Sequence, residues 1–346
     1  MLAVPKNKFA FSRRGFMLLP LGLMACKPGP AAIEISGATM GTTYNVTAVD
    51  QAGKLGTSDL RQMVEAALAE VNSQMSNWDS TSEISRFNAR RTTDAVSVSP
   101  ELAYVMNAAR DVHAASGGQF DVTVGTLIDL WGFGAGKGGE HMPSAAAIET
   151  ALASAGQEKT LQIGAETLRK TRPAAEVYLS AIGKGYGVDR VARALQSAGL
   201  KDFMIEIGGD LYTAGVNGDG MRWRIGIETP DALDRGLQAV VGVSDLGMAT
   251  SGDYRNYFEK DGARYSHIID PGTGRPITHN TASATVLTGN AMLADAWATA
   301  MLIMGREKGM QVAEAQNLAV LFVERAEGSQ TGFVTTKNAR FTELMA

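Results

Sequence analysis

Cysteine is almost missing from this sequence: Cys26 is the only one. No intrachain disulfide can form, and no thiolate metal cluster can assemble. Histidine is scarce as well. His113, His141, His267 and His279 never fall at the spacing of a zinc motif. No repeat of 20 to 50 residues is visible, and collagen-like, coiled-coil and disordered classes match the composition poorly. A basic excess is also lacking, since the formal net charge is -4. That argues against a nucleic-acid partner.

What is present begins with an unusual N-terminus. Lys6, Lys8, Arg13 and Arg14 precede an apolar stretch from Phe16 to Ala25. The stretch is shorter than the about 20 apolar residues a bilayer span takes. It has the layout of a secretory signal. Ser12-Arg13-Arg14-Gly15-Phe16-Met17 looks like a twin-arginine export signal. Leu23-Met24-Ala25-Cys26 resembles a lipoprotein cleavage box, with Cys26 acylated; an uncleaved anchor is the alternative. The expectation is a signal over 1–25, a tether over 26–36 and a catalytic body over 37–346. That body is expected on the periplasmic side of a bacterial membrane, held by lipid. Cleavage removes four basic residues and no acidic ones from totals of 32 and 36, leaving a net charge of -8.

Pattern supplies the fold class. "TTYNVTAV" after Met40-Gly41 alternates like a strand, and helical periodicity runs over 60–75 and 99–116. A loop covers 132–144, and a helix follows Lys184 from 187 to 198. Strand signals then dominate up to a last helix, "AMLADAWATAMLIMG". Strands and helices come in blocks, which predicts α+β with antiparallel sheets and packed helices.

Several stretches carry chemistry. In "YLSAIGKGYG" (178–187) glycines flank Lys184. The residue after Lys184 is Gly185, so this is no Walker A loop. Glycines at a helix entry favour anion binding, though such an entry also occurs with no ligand. Asp295 and Thr299 stand four apart on one helix face among apolar neighbours. A buried carboxylate there needs a partner: a cation, an arginine or backbone amides. Oxygen-only ligands suit Mg²⁺. His267, in a short strand before the turn 270–274, is a candidate base or a structural histidine. Trp78, Phe120, Trp131 and Phe133 offer faces for a flat ring, or core packing. Gly208-Gly209 marks a bulge or a close ligand approach.

Together, "MGTTYNV", "SEISRFN", "FDVTVGTLIDLWGFG", "LSAIGKGYGVDRVA", "IEIGGDLYTAG", "ATSGDYRNYF", "SHIIDPGTGRPI" and "ADAWAT" resemble the ApbE family, the FAD:protein FMN transferases. The blocks occur in that family's order and span roughly residues 37 to 335. The resemblance implies a body related to the T-fold with duplicated βαβ-rich halves. It implies Mg²⁺-dependent cleavage of FAD, release of AMP, and transfer of FMN to a threonine or serine of an acceptor protein. Acceptors would be redox-pump subunits or flavin-carrying reductases. It places Mg²⁺ on Asp295, Thr299 and the Ala181 carbonyl, and the base at His267. FAD contacts fall on Met40, Trp78, Gln119, Phe120, Asp121, Tyr178, Lys184 and Ile269. Where the family usually has aspartate, this chain has Tyr178. Hydrolysis of FAD to FMN and AMP, or FAD storage without turnover, are the alternatives.

Overall fold

The computed structural model describes residues 32–134, 142–231, 236–326 and 332–345. The signal, Cys26, His141 and part of the 132–144 loop lie outside them.

The chain opens with a hairpin of β1 (Ala32–Thr39) and β2 (Thr42–Val49). Met40 (φ 51°) and Gly41 (φ 73°) form its turn. Two consecutive positive φ values match the right-handed twist of the strands. β1 begins five residues before the expected boundary at 37. Its alternation is one-sided, with Ile35 buried and Glu34 exposed, so it reads weakly as a strand. It exists by pairing with β2 throughout.

An insertion follows: α1 (Thr57–Met75), α2 (Glu83–Ala89), β3 (Val96–Ser97), α3 (Pro100–Ala115), α4 (Gly125–Leu130), α5 (Ala145–Leu152), α6 (Gln157–Thr160), β4 (Leu161–Ile163) and β5 (Thr167–Lys170). Ser99 caps α3 by accepting from the Leu102 N–H, with Pro100 in the first turn.

Next come α7 (Gly183–Ser197), β6 (Asp202–Ile207), β7 (Asp210–Ala214), β8 (Trp223–Glu228), β9 (Leu237–Val243), β10 (Leu246–Gly252), β11 (Tyr257–Lys260), β12 (Ala263–Ser266), β13 (Ile269–Asp270), β14 (Arg275–Pro276), β15 (Thr281–Thr288), α8 (Ala291–Ala315), β16 (Ala319–Arg325), β17 (Phe333–Lys337) and α9 (Ala339–Met345).

One sheet organises the fold, in the order β1-β2-β6-β7-β10-β15-β16-β17. Every strand pairing among the described residues is antiparallel. The halves are therefore ββαββ rather than βαβ. In the second half the reason is visible at Gly305 (φ 71°, ψ 173°), which interrupts α8. Only glycine adopts that backbone readily. The Arg306 N–H bonds Thr281 at the start of β15, whereas Ala319 pairs with Leu287 near its end. The two legs of α8 thus run out and back, and β16 returns antiparallel to β15.

Helices cover one face of the sheet. Phe203, Ile205 and Ile207 pack there with Leu60, Val64, Val188 and Val191. The β8–β9 ribbon and α9 cover the other, where Leu211, Met248 and Leu321 meet Trp223, Ile225, Ile227 and Phe341. No described helix is long and apolar enough to cross a membrane.

Candidate active site

The halves of the sheet meet at β7 and β10, and they do not meet fully. Pairing covers only Leu246, Gly247 and Met248 opposite Thr213, Tyr212 and Leu211. Beyond Met248, β10 follows β15 alone. A cavity of about 1110 Å³ opens at this split. Met40, Trp78, Phe120, Asp121, Tyr178, Ala181, Lys184, His267, Ile269, Asp295 and Thr299 all line it. Gln119 is the one expected contact that does not. Trp131 and Phe133 are also absent from its walls. Trp131 is buried and donates to the Gly274 carbonyl, while Phe133 stacks on Phe258.

Lys184 lies in the first turn of α7, not ahead of the helix as expected. Glycine is a poor helix former, but tertiary contacts decide here. A Cβ on Gly185 would sit 2.2 Å from the Ala291 carbonyl oxygen, and one on Gly187 would sit 2.7 Å from Met40 Cε. Gly185 lets α7 cross α8 backbone to backbone, and Gly187 makes room for Met40 of the β1–β2 turn. Asp189, one turn on, accepts from the Ala291 and Met292 N–H groups at 2.8 and 3.0 Å. It fixes the start of α8, and so the height of Asp295 and Thr299.

At the centre, Lys184 Nζ donates to Asp210 Oδ2 at 2.7 Å and to Asp295 Oδ1 at 3.4 Å. The Gly185 N–H donates to Asp295 Oδ2 at 3.1 Å. Asp210 and Asp295 are both buried. Burial and then Asp295 push the Asp210 carboxyl up. Burial alone would lower the Lys184 ammonium, but Asp210 and Asp295 outweigh it and hold it up. Two acids thus face one cation in a poorly solvated place, an excess of acid groups that is met by a proton on Asp210 or by a second cation.

That excess fits an added cation. The Gly185 N–H, which in a regular helix would reach the Ala181 carbonyl, goes to Asp295 instead. No hydrogen bond ends on the Ala181 carbonyl among the described residues. Thr299 Oγ1 lies 3.0 Å from Ser251 Oγ. Carboxylate, hydroxyl and carbonyl make a hard oxygen set suited to Mg²⁺. No cluster of three or more His, Cys, Asp or Glu is found among the described residues, so this set rests on a single carboxylate.

His267 falls in a bend between β12 and β13 rather than in a strand. Its Nδ1 lies 3.1 Å from the Asn256 carbonyl. As donor there, it leaves Nε2 with the basic lone pair. Burial lowers the pKa of the ring, against the pull of that carbonyl. The imidazole is therefore neutral near pH 7.

At the far end, Trp78 is 56% exposed and its ring centroid lies 5.6 Å from that of Tyr178. Burial, then Asp129, pushes the Tyr178 hydroxyl up to about 12. Two asparagines set this segment. Asn77 and Asn88 donate to the Val177 carbonyl at 2.7 and 2.8 Å, and accept from the Leu179 and Val177 N–H groups. The Asp121 carboxylate serves its own loop, accepting from Thr123 and from the Gln157 N–H.

Sequence reasoning missed Asp210, Asp189, Ser251 and the two asparagines. Asp210 left a trace: it directly follows Gly208-Gly209 at the head of an apolar strand.

A family model described as the ApbE family matches residues 40–322. A Vibrio cholerae protein named FAD:protein FMN transferase is 43% identical over 305 residues, covering 88% of this chain and 91% of its own length. One of the same name from Haemophilus influenzae is 40% identical over 332 residues, covering 94% and 95%. The solved structure of the flavin transferase ApbE from Vibrio cholerae is similar with a TM-score of 0.83 at 41% identity, over 90% of this chain and 99% of that one.

Proposed function

The chain belongs to the ApbE family and is a flavin transferase; on that premise we propose that it cleaves FAD with Mg²⁺ and releases AMP. The FMN moiety passes to a threonine or serine hydroxyl of an acceptor protein. The observation that carries this reading is the Lys184–Asp210–Asp295 cluster beside Thr299 and the Ala181 carbonyl, with His267 on the same cavity.

In this mechanism Trp78 and Tyr178 hold a flat ring at one end of the cavity. Lys184 approaches the pyrophosphate as a permanent ammonium. Asp295, Thr299 and the Ala181 carbonyl would hold Mg²⁺. The ion supplies charge neutralisation on the pyrophosphate oxygens. The acceptor hydroxyl oxygen bonds to the phosphorus of the FMN half. The bond from that phosphorus to the bridging oxygen breaks, and AMP leaves with the oxygen. His267 Nε2 takes the hydroxyl proton.

The N-terminus supports export by a twin-arginine signal and acylation at Cys26. The work would then be done on the periplasmic side of the membrane. Redox-pump subunits and flavin-carrying reductases are the acceptor class.

The test incubates the chain from Cys26 onward with FAD, Mg²⁺ and the acceptor domain of a redox-pump subunit. Mass spectrometry should find one FMN added to that domain, and chromatography should find AMP. AMP with an unmodified domain indicates a hydrolase, and no AMP indicates storage.

A further inference from the structure

The cavity is larger than the about 300–1,000 Å³ usual for small-molecule sites. It also reaches both faces of the sheet. Asp295 and Ser251 line it on the helix side, and Met204 and Glu206 on the ribbon side. There its wall is β8. Arg224, Ile225, Gly226, Ile227 and Glu228 line it without a gap. Side chains of a strand alternate between faces. A cavity lined by consecutive residues therefore runs along the strand's edge.

That edge is open. Among the described residues β8 pairs only with β9. The Thr229 N–H donates across the ribbon to the Gly236 carbonyl at 2.8 Å. Backbone groups alternate sides along a strand, so those of Gly226 and Glu228 point away from β9, toward the cavity. An open edge is a template for another strand.

Two further observations bear on what would pair there. Glu228 holds Arg255 at 2.6 Å, and the next residue, Asn256, holds His267. The edge thus leads to the candidate base. Next to it on the outer face of the ribbon, Leu237 and Val240 are 67% and 44% exposed, and Gly226 opposite Val240 carries no side chain. This is an apolar, flattened surface beside the cavity.

Resting on the transferase reading, we propose that the acceptor protein docks by strand addition. An extended segment carrying its threonine or serine pairs with the outer edge of β8. The body around that segment covers Leu237 and Val240. The added strand delivers its hydroxyl past Glu228 to His267. Backbone pairing supplies affinity without demanding one sequence, which suits an enzyme that modifies one residue type within a folded partner.

Two variants test this with the acceptor domain described above. Gly226→Pro removes the outward N–H, and proline is tolerated at a free strand edge. Only the movable tip of Leu237 stands in its way, 2.6 Å from a Cβ at 226. Leu237→Asp/Val240→Asp charges the apolar surface. Both should raise the acceptor KM by about tenfold or more. FAD affinity by flavin fluorescence, and AMP release without acceptor, should stay within about twofold. An acceptor KM unchanged in the surface pair overturns the proposal. So does a Gly226→Pro enzyme that binds FAD and transfers normally. If the unmodified enzyme never labels the acceptor, the transferase reading fails instead, which the wild-type arm alone reveals.

Discussion

The two halves of the central sheet share a plan and differ in what interrupts it. Each runs hairpin, helix, hairpin: β1-β2-α7-β6-β7 in the first, and β10-β15-α8-β16-β17 in the second. The first half takes the insertion α1 to β5 between β2 and α7. The second takes β11 to β14 between β10 and β15. The first insertion brings Trp78, the segment from β5 to α7 brings Tyr178, and the second insertion brings His267. At the seam, α7 contributes Lys184 while α8 contributes Asp295 and Thr299. The lesson is that a repeated frame does not duplicate a site. Near-equivalent strands make one scaffold, and the candidate site lies where their unequal insertions face each other across the β7–β10 split.

This asymmetry can be broken from either side. His267 has no counterpart in the first half, so His267→Ala should have the largest effect. Transfer should fall about 100- to 10,000-fold with FAD binding retained, measured by FMN incorporation and flavin fluorescence. The pH profile adds a check. Burial lowers the imidazole pKa, so the base form persists below pH 6.5. Transfer should decline only as pH falls through that lowered value, and this acid limb should vanish in the variant.

Asp295 and Asp210 share Lys184 but come from different halves. Asp295→Ala should cut Mg²⁺-dependent AMP release about 100- to 1000-fold. Asp210→Asn should cost about tenfold or less, because Asp210 is not among the proposed Mg²⁺ ligands and the amide still accepts a hydrogen bond from Lys184. Equal losses in Mg²⁺ titrations of the two would erase the proposed division of labour.

The glycines sharpen the comparison through stability. Gly305→Ala places a side chain at φ 71°, ψ 173°, against the His279 ring. It should destabilise by about 1–3 kcal/mol in thermal or urea unfolding. Gly187→Ala in α7 should be nearly neutral. Crowding of the flexible Met40 tip is offset by the about 1 kcal/mol helix preference of alanine over glycine. A large loss at Gly187 would mean that α7 and the β1–β2 turn meet more rigidly than their contact implies.

Much of this was legible beforehand. Ser99-Pro100 announced α3, and period-2 alternation announced the strands. Of the catalytic, metal and FAD positions that the family resemblance implied, all but Gln119 line the cavity. What escaped did so for identifiable reasons. Glycine-rich "GKGYG" looks like a loop because its propensity is local, while its helix depends on crossing α8. Asp189 resembles any helical acid until α8 begins above it. Asn77 and Asn88 act on a backbone segment about 100 residues away, which no local pattern encodes.

The sequence alone determined the α+β class and the family, because periodicity and motif order are properties of the chain. Tertiary structure decided which acids share Lys184, where the sheet splits, and which edge of β8 stays open. Those depend on distances between segments far apart in the chain, which are set only when the packed faces of helix, sheet and ribbon exclude water together.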